Sequence, residues 1–140
     1  MTTYTNAQFR SILFGLGYLA KDFANPALGF PATTDNSPFT GNKTLQAIRN
    51  FQADYGLLVD GIVGAKTMAK AEEVIRILQY ELNVVVNAGL PKDQPFYGPK
   101  TVQAVKKFEA QYYGTDERFV TGVATLDLRK YLDTIAKQIV

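Results

Sequence analysis

The chain contains its own internal repeat. Residues 39–55 read FTGNKTLQAIRNFQADY and residues 96–112 read FYGPKTVQAVKKFEAQY, at a constant offset of 57. Nine of the seventeen aligned positions are identical, where composition alone would give about one. The identities include Gly41/Gly98, Lys43/Lys100, Thr44/Thr101, Gln46/Gln103, Ala47/Ala104, Phe51/Phe108 and Tyr55/Tyr112. Apolar residues in both copies recur at helical spacing: Leu45, Ile48, Phe51 and Tyr55 in one, Val102, Val105, Phe108 and Tyr112 in the other. Lys43, Arg49, Asn50 and Asp54, or Lys100, Lys106, Lys107 and Gln111, occupy the other side. Each copy is therefore an amphipathic helix, opened by a glycine and laid against its own core.

The repeat extends in both directions. Upstream, Phe9, Ile12, Leu13 and Leu16 match Ile75, Leu78, Leu82 and Val85 as helical apolar faces. The first copy then carries a connector about 12 residues longer, Lys21 to Pro38, rich in turn-forming Asn-Pro and Asp-Asn-Ser-Pro strings. Its Phe23, Phe30 and Phe39, with Tyr112 and Tyr113 beside Gly114, are the aromatics expected at the surface. Downstream, each copy turns through a glycine, Gly61 or Gly122, into a third helix. The last helix uses Leu128, Tyr131, Leu132, Ile135 and Ile139, with Thr125 as N-cap and Asp127 in its first turn. From about Ala65 to Val85 no Pro or Gly intervenes, so one long helix should serve both copies. The expected fold is all-α: two pseudo-repeated three-helix lobes, residues 1–73 and 74–140, sharing a long central helix.

Composition limits the chemistry. The 140 residues include no Cys, no His and no Trp. That removes disulfides, thiol nucleophiles, histidine-based catalysis and the usual zinc sites. No metal and no cofactor is expected. The adjacent carboxylates Glu72-Glu73 and Asp116-Glu117 look solvated and do not face a common site. No catalytic residue is assigned. A net charge of +2, with only the short basic pairs Lys106-Lys107 and Arg129-Lys130, argues against nucleic acid. No apolar run reaches spanning length, so no membrane insertion is expected.

The string from Thr44 through Phe51-Gln52, then GLLVDGIVGAKT from Gly56 to Thr67, resembles the peptidoglycan-binding domain of the three-helix, PGBD-like type. That family shows a Gly-x-x-Thr helix start, an Ala-Val-x-x-Phe-Gln helix and a Gly-Leu-x-Val-Asp-Gly-x-x-Gly-x-x-Thr turn. The second copy keeps Gly98 to Thr101 and Phe108-Glu109 but has Thr121 in place of the aspartate and lacks the second Gly-x-x-Thr. It is the degenerate copy. The resemblance implies a small helical fold and non-catalytic attachment to bacterial cell wall.

The expected binding residues are Phe39, Thr40, Asn42, Thr44, Arg49 and Asp60 in the first copy, and Phe96, Tyr97, Lys100 and Thr101 in the second. They surround a helix start whose free N–H groups and positive dipole end suit carboxylates or acetamido oxygens. Each also has a purely structural reading. Asp60 can cap its own turn, and Gly61 can take the positive φ that follows. Thr44 and Thr101 can satisfy local backbone groups. Phe39, Phe96 and Tyr97 can act as hydrophobic staples instead of sugar platforms. Arg49 and Lys106 can simply be solvated.

The expected function is binding of peptidoglycan, through its stem peptide or an N-acetyl sugar, by a groove in at least the first lobe. The competing expectation is an adaptor that uses the same fold for protein contacts or self-association. Residues 1–6 lack the basic start and apolar core of a secretory signal. A cytoplasmic location therefore stays open beside the cell wall or periplasm that the resemblance implies.

Overall fold

The computed structural model describes residues 3–20, 31–114, 116, 118 and 120–139, and every structural statement below is made of these. Phe23, Phe30 and Glu117 lie outside them. Five helices follow in order: α1 Asn6–Gly15, α2 Asn42–Asp54, α3 Ala65–Val86, α4 Pro99–Tyr112 and α5 Leu126–Ile139. There is no strand among the described residues. The fold is all-helical, as the apolar periodicity predicts, and α3 is the long central helix, running unbroken past Glu72-Glu73 for 22 residues.

The helix ends follow from local chemistry. Thr5 and Gln8 form a reciprocal capping box at α1. Glycines precede α2, α3 and α4, none with a side-chain cap, and Pro99 occupies the first turn of α4, where its missing N–H costs nothing. Thr125 does cap α5, its hydroxyl accepting from the Leu128 N–H at 3.2 Å. Asn87 ends α3 in the left-handed conformation at φ 54°.

The helices do not form two separate cores. One cluster of buried apolar side chains runs from Phe9, Ile12 and Leu13 through Phe51, Ile75 and Leu82 to Phe108 and Leu132. α3 lies against both α4 and α5. The expectation that each repeat helix rests on a core of its own is corrected accordingly. The reason is visible at the joint. Tyr97 belongs to the second repeat, yet its ring sits against Gly15 of α1, where an added Cβ would stand 2.5 Å from ring carbons. Its hydroxyl donates to the Gly122 carbonyl at 2.5 Å. Beside it the Ala124 N–H donates to the Gly15 carbonyl at 2.6 Å. Arg129 donates to the carbonyls of Leu16 and Ala124, one from each repeat. Tyr4 donates to Pro95 at 2.7 Å and meets Phe96 edge-on.

Two positions expected on the buried face of α5, Tyr131 and Ile139, are exposed. They lie toward the margins of the helix's apolar stripe, whose centre is Leu128, Leu132 and Ile135. Tyr131 instead joins Tyr112 and Tyr113 in an aromatic group at the surface, capping Phe108.

Candidate functional site

The glycine bend after α2 is held by one buried side chain, Gln52, 1% exposed. Its carbonyl oxygen accepts from the backbone N–H groups of Asp60 and Gly61 at 3.1 and 3.0 Å. Its amide nitrogen donates to the Asp60 carboxylate, the Ile62 carbonyl and the Thr67 hydroxyl. Asp60 accepts in turn from the Ile62 N–H at 2.9 Å. These bonds hold the Asp60 carboxyl below its ordinary pKa, the Ile62 N–H contributing most and the Gln52 amide next. Gly61 takes φ +73°, the positive value expected for it.

The bend before α5 is held in the same way by different atoms. Glu109, 3% exposed, accepts from the N–H groups of Thr121 and Gly122 at 3.0 and 2.7 Å. The Thr121 hydroxyl donates to the other Glu109 oxygen at 3.0 Å and accepts from the Val123 N–H at 3.1 Å. The first bend pairs an amide donor with a carboxylate acceptor. The second pairs a hydroxyl donor with a carboxylate, so Thr121 does not mark a lost lock. The charge has moved from the bend to the helix, and Gln52→Glu109 compensates Asp60→Thr121. Sequence reasoning missed both anchors. The signal was present as two coordinated differences between otherwise matching copies.

A cation lies over each bend. A Cβ on Gly61 would stand 3.2 Å from Arg49 Nε, and one on Gly122 would stand 3.3 Å from Lys106 Cε. Arg49 and Lys106 are therefore half-buried against glycines and not simply solvated.

The other expected binding residues divide. Tyr97 and Thr101 are each 2% exposed, with the Thr101 hydroxyl donating to the Phe96 carbonyl at 3.0 Å. Both are almost fully buried beneath the start of α4, and Tyr97 also lines the hollow beside Phe96. Phe39 is half-buried, edge-on to Phe9 and covered by the Arg10 guanidinium 4.9 Å from its centroid. Its ring is packed onto α1 and does not stand as an open platform. Thr40 and Asn42 are exposed beside the uncapped start of α2, and Thr44 is half-buried one turn in. Phe96 and Lys100 have surface hollows next to them. Gln8, Thr33, Thr34, Phe96 and Pro99 line one of about 260 Å³. Asn87, Pro99, Lys100, Gln103 and Lys107 line another of about 400 Å³. Both flank Pro99 at the second repeat's helix start, and the one beside Phe96 also draws Gln8, Thr33 and Thr34 from the first repeat.

The carboxylates considered for catalysis are tied to near neighbours, Glu72 to Arg76, Glu73 to Lys70 and Asp116 to Arg118. Among the described residues no group of three or more Asp or Glu could hold a metal ion. No helix is long and apolar enough to cross a membrane.

One carboxyl pair is out of the ordinary. Glu81 on α3 is 7% exposed and hydrogen-bonded to Asp133 on α5. Burial, and then the Asp133 carboxylate, raise the Glu81 pKa to about 8, while the same bond lowers that of Asp133. The folded chain thus holds a proton that the unfolded chain releases above a pKa of about 4.5. Glu81 stabilises the fold fully below that value, and the contribution is lost as pH rises through about 8. A Glu81→Gln chain should melt higher than the parent at pH 9, by a few degrees, and the difference should shrink toward pH 5. Thermal melts across that range check it, and a parent without pH dependence between 6 and 9 would refute it.

Comparison with known proteins gives one match. Residues 26–70 match the model of the family described as "Putative peptidoglycan binding domain", which supports a peptidoglycan-binding domain in this part of the chain. The matched span holds α2, the Gln52 lock and the start of α3. No curated protein and no solved structure matches the chain.

Proposed function

We propose that the protein binds bacterial cell-wall peptidoglycan without cutting it, as a tandem module whose main contact is the start of α4. The family match over residues 26–70 carries the wall-binding part of this reading; the placing at α4, outside the match, rests on the local geometry. Two features support the location. The first turn of α4 has no side-chain cap; Pro99 carries no N–H and Thr101 is buried, so the exposed Lys100 supplies the backbone N–H left for an acetamido or carboxylate oxygen. The hollows on either side of Pro99 supply an aromatic edge from Phe96, hydroxyls from Thr33 and Thr34, and the cations Lys100 and Lys107. Thr40 and Asn42, exposed at the equivalent start of α2, form the smaller second contact.

Retention on purified sacculi at low salt tests the proposal. The parent should sediment with the wall. Lys100→Glu, a change at an exposed position, should lower retention about fivefold, the size expected for losing one charge-assisted contact. Loss of retention by neither variant nor salt, or no retention of the parent, would sink it.

A second reading has its own observation. Leu58, Val59 and Ile62 are 80%, 49% and 65% exposed around the first bend. Apolar side chains that open on a rigid turn suit a protein contact, and an adaptor would use them. Light scattering of the parent and of Leu58→Ser separates this from wall binding.

A further inference from the structure

We propose that the hollow between the end of α2, the middle of α3 and the first half of α5 binds a carboxylate carried on a small aliphatic group, the chemistry of a peptide C-terminus. The hollow holds about 220 Å³, and Ile77, Leu78 and Leu126 give it an apolar wall. Ile77 and Leu126 are 51% and 39% exposed, so methyl groups placed there would gain burial on both sides.

Arg129 is the polar wall, and it is a built one. It is 8% exposed, and four of its five N–H donors are engaged. Nη1 donates to the carbonyls of Leu16 and Ala124 at 3.0 and 2.6 Å. Nη2 donates to the hydroxyls of Tyr18 and Tyr55 at 3.4 and 3.2 Å. All four acceptors are neutral. The fifth donor, Nε–H, has no partner among the described residues, and no carboxylate pairs with the guanidinium. Buried cations are ordinarily matched by an anion, because the desolvated charge is costly alone. One acid, Asp54, is linked to it through a hydroxyl, accepting from Tyr18 at 2.6 Å, and Glu81 and Asp133 line the same hollow.

The rest of the lining leaves room for an anion. Lys130 stands exposed at the edge, a second cation. Asp133 is already paired with Lys137 at 2.9 Å. Glu81 keeps its proton at neutral pH. An entering carboxylate therefore meets Arg129 and Lys130, with a protonated Glu81 and an Asp133 carboxylate already paired with Lys137 opposite. This site is separate from the hollows beside Pro99. It rests on the wall-binding reading only for the source of the carboxylate, which we assign to the peptide stem.

Amide and arginine side-chain resonances of the isotope-labelled chain, titrated with N-acetyl-D-alanyl-D-alanine, test the pocket. The acid should shift the signals of Ile77, Leu126 and Arg129 Nε. Its C-terminal amide should bind about tenfold more weakly, since it lacks the charge-assisted bonds. Lys130→Glu should weaken the acid about fivefold with the helical circular dichroism unchanged. Arg129 clamps the joint, and its replacement can unfold the chain. Leu126→Trp, which fills the hollow from an exposed position, therefore serves as the second variant and should abolish the shifts. Equal affinity for acid and amide, shifts elsewhere, or no shift at millimolar peptide would overturn the proposal. Preference for the L,L peptide would overturn the stem assignment. Sacculus retention without peptide binding removes this pocket and leaves wall binding standing. Peptide binding without retention does the reverse.

Discussion

Replacing Gly15 by alanine is expected to destabilise the protein by about 3 kcal/mol and lower its melting temperature by roughly 10 °C. The added methyl would stand 2.5 Å from three carbons of the Tyr97 ring. That ring cannot swing away. It is 2% exposed, and its hydroxyl is tied to the Gly122 carbonyl at 2.5 Å. The α1 backbone cannot retreat either, because the Gly15 carbonyl accepts from Ala124 and the Leu16 carbonyl from Arg129. The strain falls on a joint that both repeats share. Gly64→Ala is the control: an added Cβ there meets nothing within 4 Å and φ is negative, so the loss should stay under about 1 kcal/mol. Thermal and urea melts measure both. A Gly15→Ala chain as stable as the control would show that the two repeats are not locked through Tyr97.

The second large effect concerns the two bends. Gln52→Glu should cost about 3–5 kcal/mol, because a buried carboxylate would then face the Asp60 carboxylate, the Ile62 carbonyl and the Thr67 hydroxyl where an amide now donates. Adding Asp60→Thr rebuilds the arrangement that Glu109 and Thr121 already use. The double variant should recover at least about 1–2 kcal/mol beyond additivity. Glu109→Gln should be mild, about 1 kcal/mol, since the amide oxygen can still accept from both bend N–H groups and the Thr121 hydroxyl can turn to accept. A urea double-mutant cycle reads all three. Additive losses would mean that the two locks are not interchangeable chemistry. Acid should narrow the Gln52→Glu penalty, because protonating either facing carboxyl removes the repulsion.

These two expectations differ in how far they could be seen beforehand. The bends were legible as bends: Asp60-Gly61 reads as a self-capped turn, and the Asp60 bond to Ile62 with φ +73° at Gly61 is what that reading requires. The anchors were not read, although the paired change Gln52/Asp60 to Glu109/Thr121 stood in the aligned copies. Tyr97 was legible as an aromatic before a helix and nothing more. Sequence offers no way to tell a staple from a platform, because both need a large ring at the same position. What decides is whether a neighbour leaves space beneath it, and Gly15, 82 residues earlier, does. Arg129 likewise read as half of a basic surface pair. Its burial follows from meeting the carbonyl of Leu16, 113 residues earlier, beside the local carbonyl of Ala124, which only the tertiary fold brings together.

The order of residues alone determined five amphipathic helices, their glycine and threonine starts, the unbroken central helix and the absence of thiol and imidazole chemistry. Those are matters of local spacing and composition, which act within a few turns of chain. Tertiary packing alone decided that the repeats share one core, that Tyr97 and Thr101 are hidden while Lys100 stands beside a hollow, and that a guanidinium is buried without an anion. Each depends on which surfaces meet across long stretches of chain, and burial and charge pairing exist only once they have met.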